Sequence, residues 1–315
     1  MHFRTEISTS PSLQPIGYND RLLLIGSCFS EHITGKLQEA LFRVESNPFG
    51  ILYNPRSIAD CLQLLLSGQT SLGENQIIRH QGLWHSWLHH GKFSQSDRKL
   101  FDESISRSIQ QGRQALQDAS VLIITFGTAW IYTYQGKTVS NCHKMPANLF
   151  ERKKMSVEEI VQLWQPLTDK LQSQGKRVIF TVSPIRHIKD GLHENQLSKS
   201  TLLLAIEQLK AAEYFPSYEI MMDDLRDYRF YADDMLHPSP VAVDYIWEHF
   251  CNTYFTSDTQ QQMRPLQQLY KDFAHKPLHT DSDEWLRFTA DRERRLKETS
   301  TQYPWIKQKF EDLKI

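Results

Sequence analysis

The 315-residue chain has little cysteine and no excess of charge of either sign. Four cysteines, Cys28, Cys61, Cys142 and Cys251, are too few for a disulfide-stapled scaffold. No two of them form a CxxC pair, which argues against a structural zinc ribbon. Lys and Arg number 36 against 37 Asp and Glu, a net charge of −1. That balance argues against a dedicated nucleic-acid binder and against an acidic disordered chain. No apolar stretch approaches the ~20 residues of a spanning helix. The first twenty residues, MHFRTEISTSPSLQPIGYND, hold no apolar core of a secretory leader. There is no internal repeat and no low-complexity segment. The expectation is a cytoplasmic, reduced protein with free thiols and no membrane span. At roughly 150 residues per domain, the length allows one large domain or two ordinary ones.

What is there reads as short apolar strands alternating with helices. Residues 21–26 (RLLLIG), 120–126 (SVLIITF) and 177–183 (RVIFTVS) are apolar runs that suit buried parallel strands, and 218–222 (YEIMM) reads as a fourth. Between them, Ile33, Leu37, Ala40 and Leu41 recur at helical spacing behind Ser30, a candidate cap. Asn54-Pro55 starts a helix that Gly68 stops. Residues 97–119 and 198–212 are further helix candidates. Ser156 with Glu159 forms a capping box, and Ser239-Pro240 starts a last helix through Phe250. Residues 76–93 and 131–141 look like hairpins, the second turning at Gln135-Gly136. Such alternation implies a mostly parallel sheet covered by helices on both faces, a three-layer α/β/α sandwich. After about residue 255 the chain turns polar and helical. The expected division is one domain over 1–255 and a helical C-terminal extension over 256–315.

In a parallel sheet the ligand crevice lies beyond the strand C-termini. That picks out Gly26–Ser30, Gly127–Trp130, Ser183–His187 and the stretch before Ser239. Cys28 falls at a strand-to-helix turn, where a helix start lowers a thiol pKa. From position alone it fits a nucleophile and a small buried filler equally. Asp234 and His237 stand three residues apart, a spacing that lets a carboxylate orient an imidazole base. His80, His85, His89 and His90 lack an acidic companion and fit a structural or pocket-wall role better than a metal site. No metal and no cofactor is called for.

Together the two loops resemble the SGNH/GDSL hydrolase superfamily, and within it the GSCFA-domain family. LLLIGSCFS stands where the superfamily carries its nucleophile block, with Cys28 on the serine position and Ser27 on the aspartate position. Asp234 and His237 match the closing DxxH block. Asn47-Pro48-Phe49-Gly50, Asn141-Cys142-His143-Lys144, Ser183-Pro184-Ile185-Arg186-His187, Asn195 and Ser198-Lys199-Ser200 match the family further. The resemblance covers roughly residues 20–255. It implies an acyl-ester hydrolase in which Cys28 attacks, His237 shuttles the proton and Asp234 holds the imidazole. Ser30 replaces the final Ala of the family motif. Two departures stand out. Cys28 replaces the superfamily's nucleophilic Ser. Ala129 stands where the superfamily has an oxyanion-binding Asn. The hole would then use backbone N–H groups of Cys28 and Gly50, with Asn141 as a side-chain substitute. Ser27, Trp130, His143, Arg186 and His187 are candidate substrate contacts, Arg186 for an anionic group. The implied substrate is a small-molecule or glycan acyl ester. Because a thiolate leaves well, acyl transfer fits the same chemistry. A non-catalytic binding module on a degenerate scaffold is the alternative from another class, and a serine nucleophile at Ser27 or Ser30 is a third.

Overall fold

The computed structural model describes residues 4–313. Residues 1–3 and 314–315, the outer ends of the two expected segments, lie outside the described residues. The chain opens with β1 (Arg21–Gly26), α1 (Cys28–Glu39), β2 (Arg43–Ser46) and α2 (Pro55–Leu66). A hairpin follows, β3 (Ile77–His80) and β4 (Leu83–Ser86), then α3 (Arg98–Asp118) and β5 (Val121–Phe126). The chain next makes a small antiparallel sheet of β6 (Trp130–Tyr134), β7 (Lys137–Val139) and β8 (Phe150–Lys154). It returns through α4 (Val157–Ser173), β9 (Arg177–Val182), α5 (Gly191–Gln208) and β10 (Glu213–Phe215). Last come α6 (Ser217–Glu219), which runs into a π-helical turn over Ile220–Asp224, then α7 (Pro240–Tyr254), α8 (Ser257–Ala274), α9 (Asp283–Gln302) and α10 (Trp305–Leu313).

The expected caps largely hold. Asn54 caps α2 through its side chain, and Ser156 and Glu159 form a full capping box on α4. Both hairpins turn through two residues of positive φ, Gln81-Gly82 and Gln135-Gly136, as tight hairpins of right-handed twist demand. For α1 the cap is Ser27, not Ser30, so the helix starts one turn earlier than expected.

The central sheet has the order β10-β9-β5-β1-β2, with every pairing parallel. Strand residues alternate between two cores, as a sheet covered on both faces requires. Leu23, Ile25, Leu122, Ile124, Val178 and Phe180 face the layer of α2, α3, α4 and α5. Leu22, Leu24, Val121, Ile123 and Ile179 face α1, α7, α8 and α10. This is an α/β/α sandwich. Met263, Leu266, Phe273, Ile306 and Phe310 of the C-terminal helices belong to the same core as β1 and α1.

One strand expectation is corrected. The run Tyr218–Met222 is helical, and the fourth strand placed there is instead β10 at Glu213–Phe215. Pro216 precedes the helical turn, and Ser217 ties it to the sheet by donating to the Val182 carbonyl at 2.7 Å. Tyr218, Ile220, Met221 and Leu225 then bury on one side of a coil rather than alternately. The helix expected over 198–212 begins at Gly191 and ends at Gln208. The order reverses direction between β1 and β5, so the crevice lies past their C-terminal ends.

Candidate active site

The turn after β1 is fixed by backbone contact. Gly26 has φ of 149°, and a Cβ there would stand 2.2 Å from the Thr125 carbonyl oxygen of β5. Only glycine lets β1 turn so close to its neighbour. Ser27 then accepts from the Phe29 N–H and caps α1, leaving Cys28 as the first helical residue. Its thiol is half-buried and unpaired. The expected lowering of its pKa is corrected. Burial pushes the thiol up, and the backbone N–H groups of Cys28 and Phe29 together with Lys199 pull it back only in part.

The Asp234–His237 turn is built for the imidazole. Asp234 Oδ1 accepts from the N–H groups of Leu236 and His237 at 2.9 Å each, and its Oδ2 meets His237 Nδ1 at 2.5 Å. Those bonds hold the carboxylate ionised, down to about 2. Met235 turns the chain with φ of 59°, and Ala232 donates to the His237 carbonyl. Arg186 binds the loop from the strand side. Its guanidinium donates to the Met235 carbonyl and lies 4.3 Å from the centre of the Tyr231 ring. With Nδ1 engaged by a carboxylate, His237 carries its proton there and leaves Nε2 as the basic nitrogen.

Helix α5 supports the two loops between. Ser198 Oγ accepts from the Ala129 N–H at 2.8 Å, Asn195 Oδ1 accepts from the His187 N–H at 2.9 Å, and Lys199 Nζ donates to the carbonyls of Gly127 and Ser183. Asn195, Ser198 and Lys199 thus brace the crevice loops, while Ser200 is exposed. His187 is held neutral by burial, its pKa lowered to about 4, with Nε2 buried and unpartnered.

These loops enclose a cavity of about 450 Å³. Ser27, Cys28, Trp130, Arg186, His187 and His237 all line it, so six of the sequence candidates converge. The rest of its wall is mixed, with Tyr53, Tyr132, Ile185 and Ile188 beside the polar Asn54, Lys189 and Asp190, and with Arg152 stacked 4.3 Å from the Trp130 ring. A larger groove of about 850 Å³ lies between α2 and the hairpins, but it holds no cysteine and no histidine.

Three candidates are corrected. The Gly50 N–H is spent on the Asn47 carbonyl at 2.7 Å, and the Cα face of Gly50 abuts His90, so it does not line the cavity. Asn141 accepts from the His143 N–H in a local turn and does not reach the cavity wall either. His143 is buried beside His85 and Trp87, with Nε2 donating to the Ser86 carbonyl. That histidine group builds core. Among the described residues no cluster of three or more His, Cys, Asp or Glu is arranged to hold a metal ion. No helix of those residues is long and apolar enough to cross a membrane.

The residue that sequence reasoning missed is Asn54. Its Oδ1 is fixed by the Ser57 N–H at 2.8 Å, and Asn54 lines the cavity together with Cys28. The Tyr53 carbonyl accepts from both Gly127 and Thr128, which pins this loop against the end of β5. The Asn-Pro helix start signalled a cap, and nothing in it signalled that the amide NH₂ is left over.

A model of the GSCFA family matches residues 21–250 of this chain. No curated protein matches it. Two solved structures are similar at a distance. The psychrotrophic esterase EstA from Pseudoalteromonas sp., in a structure inhibited by monoethylphosphonate, is 11% identical over 78% of this chain and 99% of its own, with a TM-score of 0.31. A carbohydrate esterase family 3 protein from Talaromyces cellulolyticus is 10% identical over 80% of this chain and 99% of its own, with a TM-score of 0.30. At that similarity nothing of either esterase's site is carried over to this chain.

Proposed function

We propose that this chain, which belongs to the GSCFA family, is an acyl-ester hydrolase with a Cys28–His237–Asp234 triad. The observation that carries the reading is the Asp234 carboxylate on His237 Nδ1 at 2.5 Å, at the rim of the cavity that Cys28 enters. His237 Nε2 takes the proton from the Cys28 thiol as Sγ attacks the ester carbonyl carbon. The tetrahedral adduct collapses, the alcohol leaves with the proton from His237, and a thioester remains on Cys28. Water, deprotonated by His237, attacks that thioester and releases the acid, and the thiol recovers its proton.

The oxyanion needs donors other than those expected from sequence. Ala129 is fully buried with its N–H committed to Ser198. The Cys28 N–H, at the first position of α1, is among the donors a helix start leaves without an intrahelical partner. Asn54 Nδ2 is the second donor in this reading, from the facing loop. The aromatic and apolar part of the wall, Tyr53, Trp130, Tyr132, Ile185 and Ile188, suits an acyl or aryl group.

Acyl transfer uses the same thioester with an alcohol or amine in place of water. The commitment of the Ala129 N–H is the observation that favours the non-catalytic alternative. One experiment separates them. The full chain is assayed on short-chain aryl esters beside Cys28→Ala and His237→Ala. The triad predicts loss of at least ~10³-fold in both variants. Equal rates in all three sink it, and added acceptor alcohol distinguishes transfer from hydrolysis.

A further inference from the structure

Lys199 is a buried base without an acid. It is 1% exposed on α5, with Nζ donating to the Gly127 carbonyl at 2.8 Å and the Ser183 carbonyl at 2.7 Å. The Tyr218 ring centre lies 5.3 Å from Nζ. Among the described residues no carboxylate lies within ion-pair distance of it, and a negative charge on Cys28 favours its ammonium form. Gly127 itself packs against the nucleophile turn, since a Cβ on it would stand 3.5 Å from Ser27 Cβ. A buried ammonium with no counter-ion is costly, and so is a half-buried thiolate. The charges of the two act on each other, so an ammonium at Lys199 offsets a thiolate at Cys28.

We propose that Lys199 is the counter-charge of the Cys28 thiolate, a positioning residue that ties the two crevice loops together and favours the ionised nucleophile. Two states of the pair carry no net charge, thiol with amine and thiolate with ammonium. On ionisation the thiol proton leaves to His237 or water, while Lys199 keeps its own. Burial brings the lysine down to about 7 and pushes the thiol up, so the ionisation of each depends on the state of the other. Other groups face it from each packed element. Glu31 comes from α1, Tyr53 from the loop before α2, His187 from the loop after β9 and Tyr218 from α6. Desolvation keeps both tyrosines and His187 uncharged near neutrality, and Glu31 opposes the thiolate. Lys199 is therefore the cation among these groups that offsets it.

The inference rests on Cys28 being the reacting group, but its test reads titration rather than turnover, so the two can fail separately. The rate of Cys28 alkylation by iodoacetamide is followed by peptide mass spectrometry from about pH 6 to 10, in the full chain and in Lys199→Met. The expected result is an inflection about one pH unit higher in the variant and a rate near pH 7.5 about tenfold lower. A folded variant whose profile superimposes on wild type overturns the proposal. Should Lys199→Met fail to fold, reciprocity gives a second reading. With ¹³Cε-lysine labelling, Cys28→Ala should lower the titration midpoint of Lys199. Lys309, half-buried near Glu45 and brought to about 8, should stay in place. An unmoved Lys199 midpoint overturns the proposal equally.

Discussion

An asparagine that caps a helix with its carbonyl oxygen has an amide NH₂ to spare, and Asn54 belongs to the wall that Cys28 faces. Asn54→Asp separates its two uses. Aspartate caps a helix as well as asparagine, so the melting temperature should stay within about a degree or two. The lost donor should lower kcat by about 10²–10³-fold. Wild-type turnover in that variant would remove Asn54 from the oxyanion hole. At this scale the sequence was most legible where partners are close in the chain. Asp234 and His237 are three residues apart and meet as their spacing predicts. The places of Asn54 in the cavity wall and of Lys199 behind it were illegible, because they depend on segments brought together from far along the chain. The Cys28 titration was misjudged for the same reason. The helix start is visible in GSCFS, but the burial that outweighs it comes from neighbouring elements.

At the scale of elements, the crevice depends on the approach of β1 to β5 just before the nucleophile. Gly26→Ala places a Cβ 2.2 Å from a backbone oxygen, and no side-chain rotation relieves that contact. The expected cost is about 3 kcal/mol, read as a lower urea midpoint with an unchanged m-value. A neutral effect would mean that β1 does not turn where it is described. Apolar runs identified β1, β5 and β9 because these strands are buried on both faces. The edge strand β2 (RVES) buries only Val44 and carries no such run. At the other edge, β10 is three residues long, and the apolar run that follows it belongs to a helical turn. Short apolar runs do not distinguish strand from buried helix by period alone.

Across the whole molecule, the hairpins and α3 close over a group of buried histidines that titrate together with unfolding. His89 and His143 are buried and held neutral, at about 3 and about 4. Free histidine titrates near 6.5, so below that pH the unfolded chain binds protons that the folded chain refuses. Stability therefore falls as pH drops through about 6.5 toward 4. Each pH unit in that window removes about 1.4 kcal/mol per histidine, so at pH 5 the loss is about 2 kcal/mol for each. Urea midpoints at pH 7 and pH 5 measure it, and equal midpoints would contradict the neutral burial. The C-terminal helices share a core with β1 and α1, so we propose that residues beyond 255 are part of the same folding unit rather than an appendage. Their polar sequence marked them as helical but gave no sign of the face that Leu266, Phe273, Ile306 and Phe310 bury.

The central claim is that Cys28 carries the acyl group. Intact-mass and peptide analysis after rapid acid quench of the protein with an excess of a short-chain aryl ester tests it most directly. The account predicts one added acyl mass, located on Cys28 and absent from Cys28→Ala, which also loses turnover. An unmodified Cys28 in a protein that turns over the ester, with activity retained in Cys28→Ala, would contradict it.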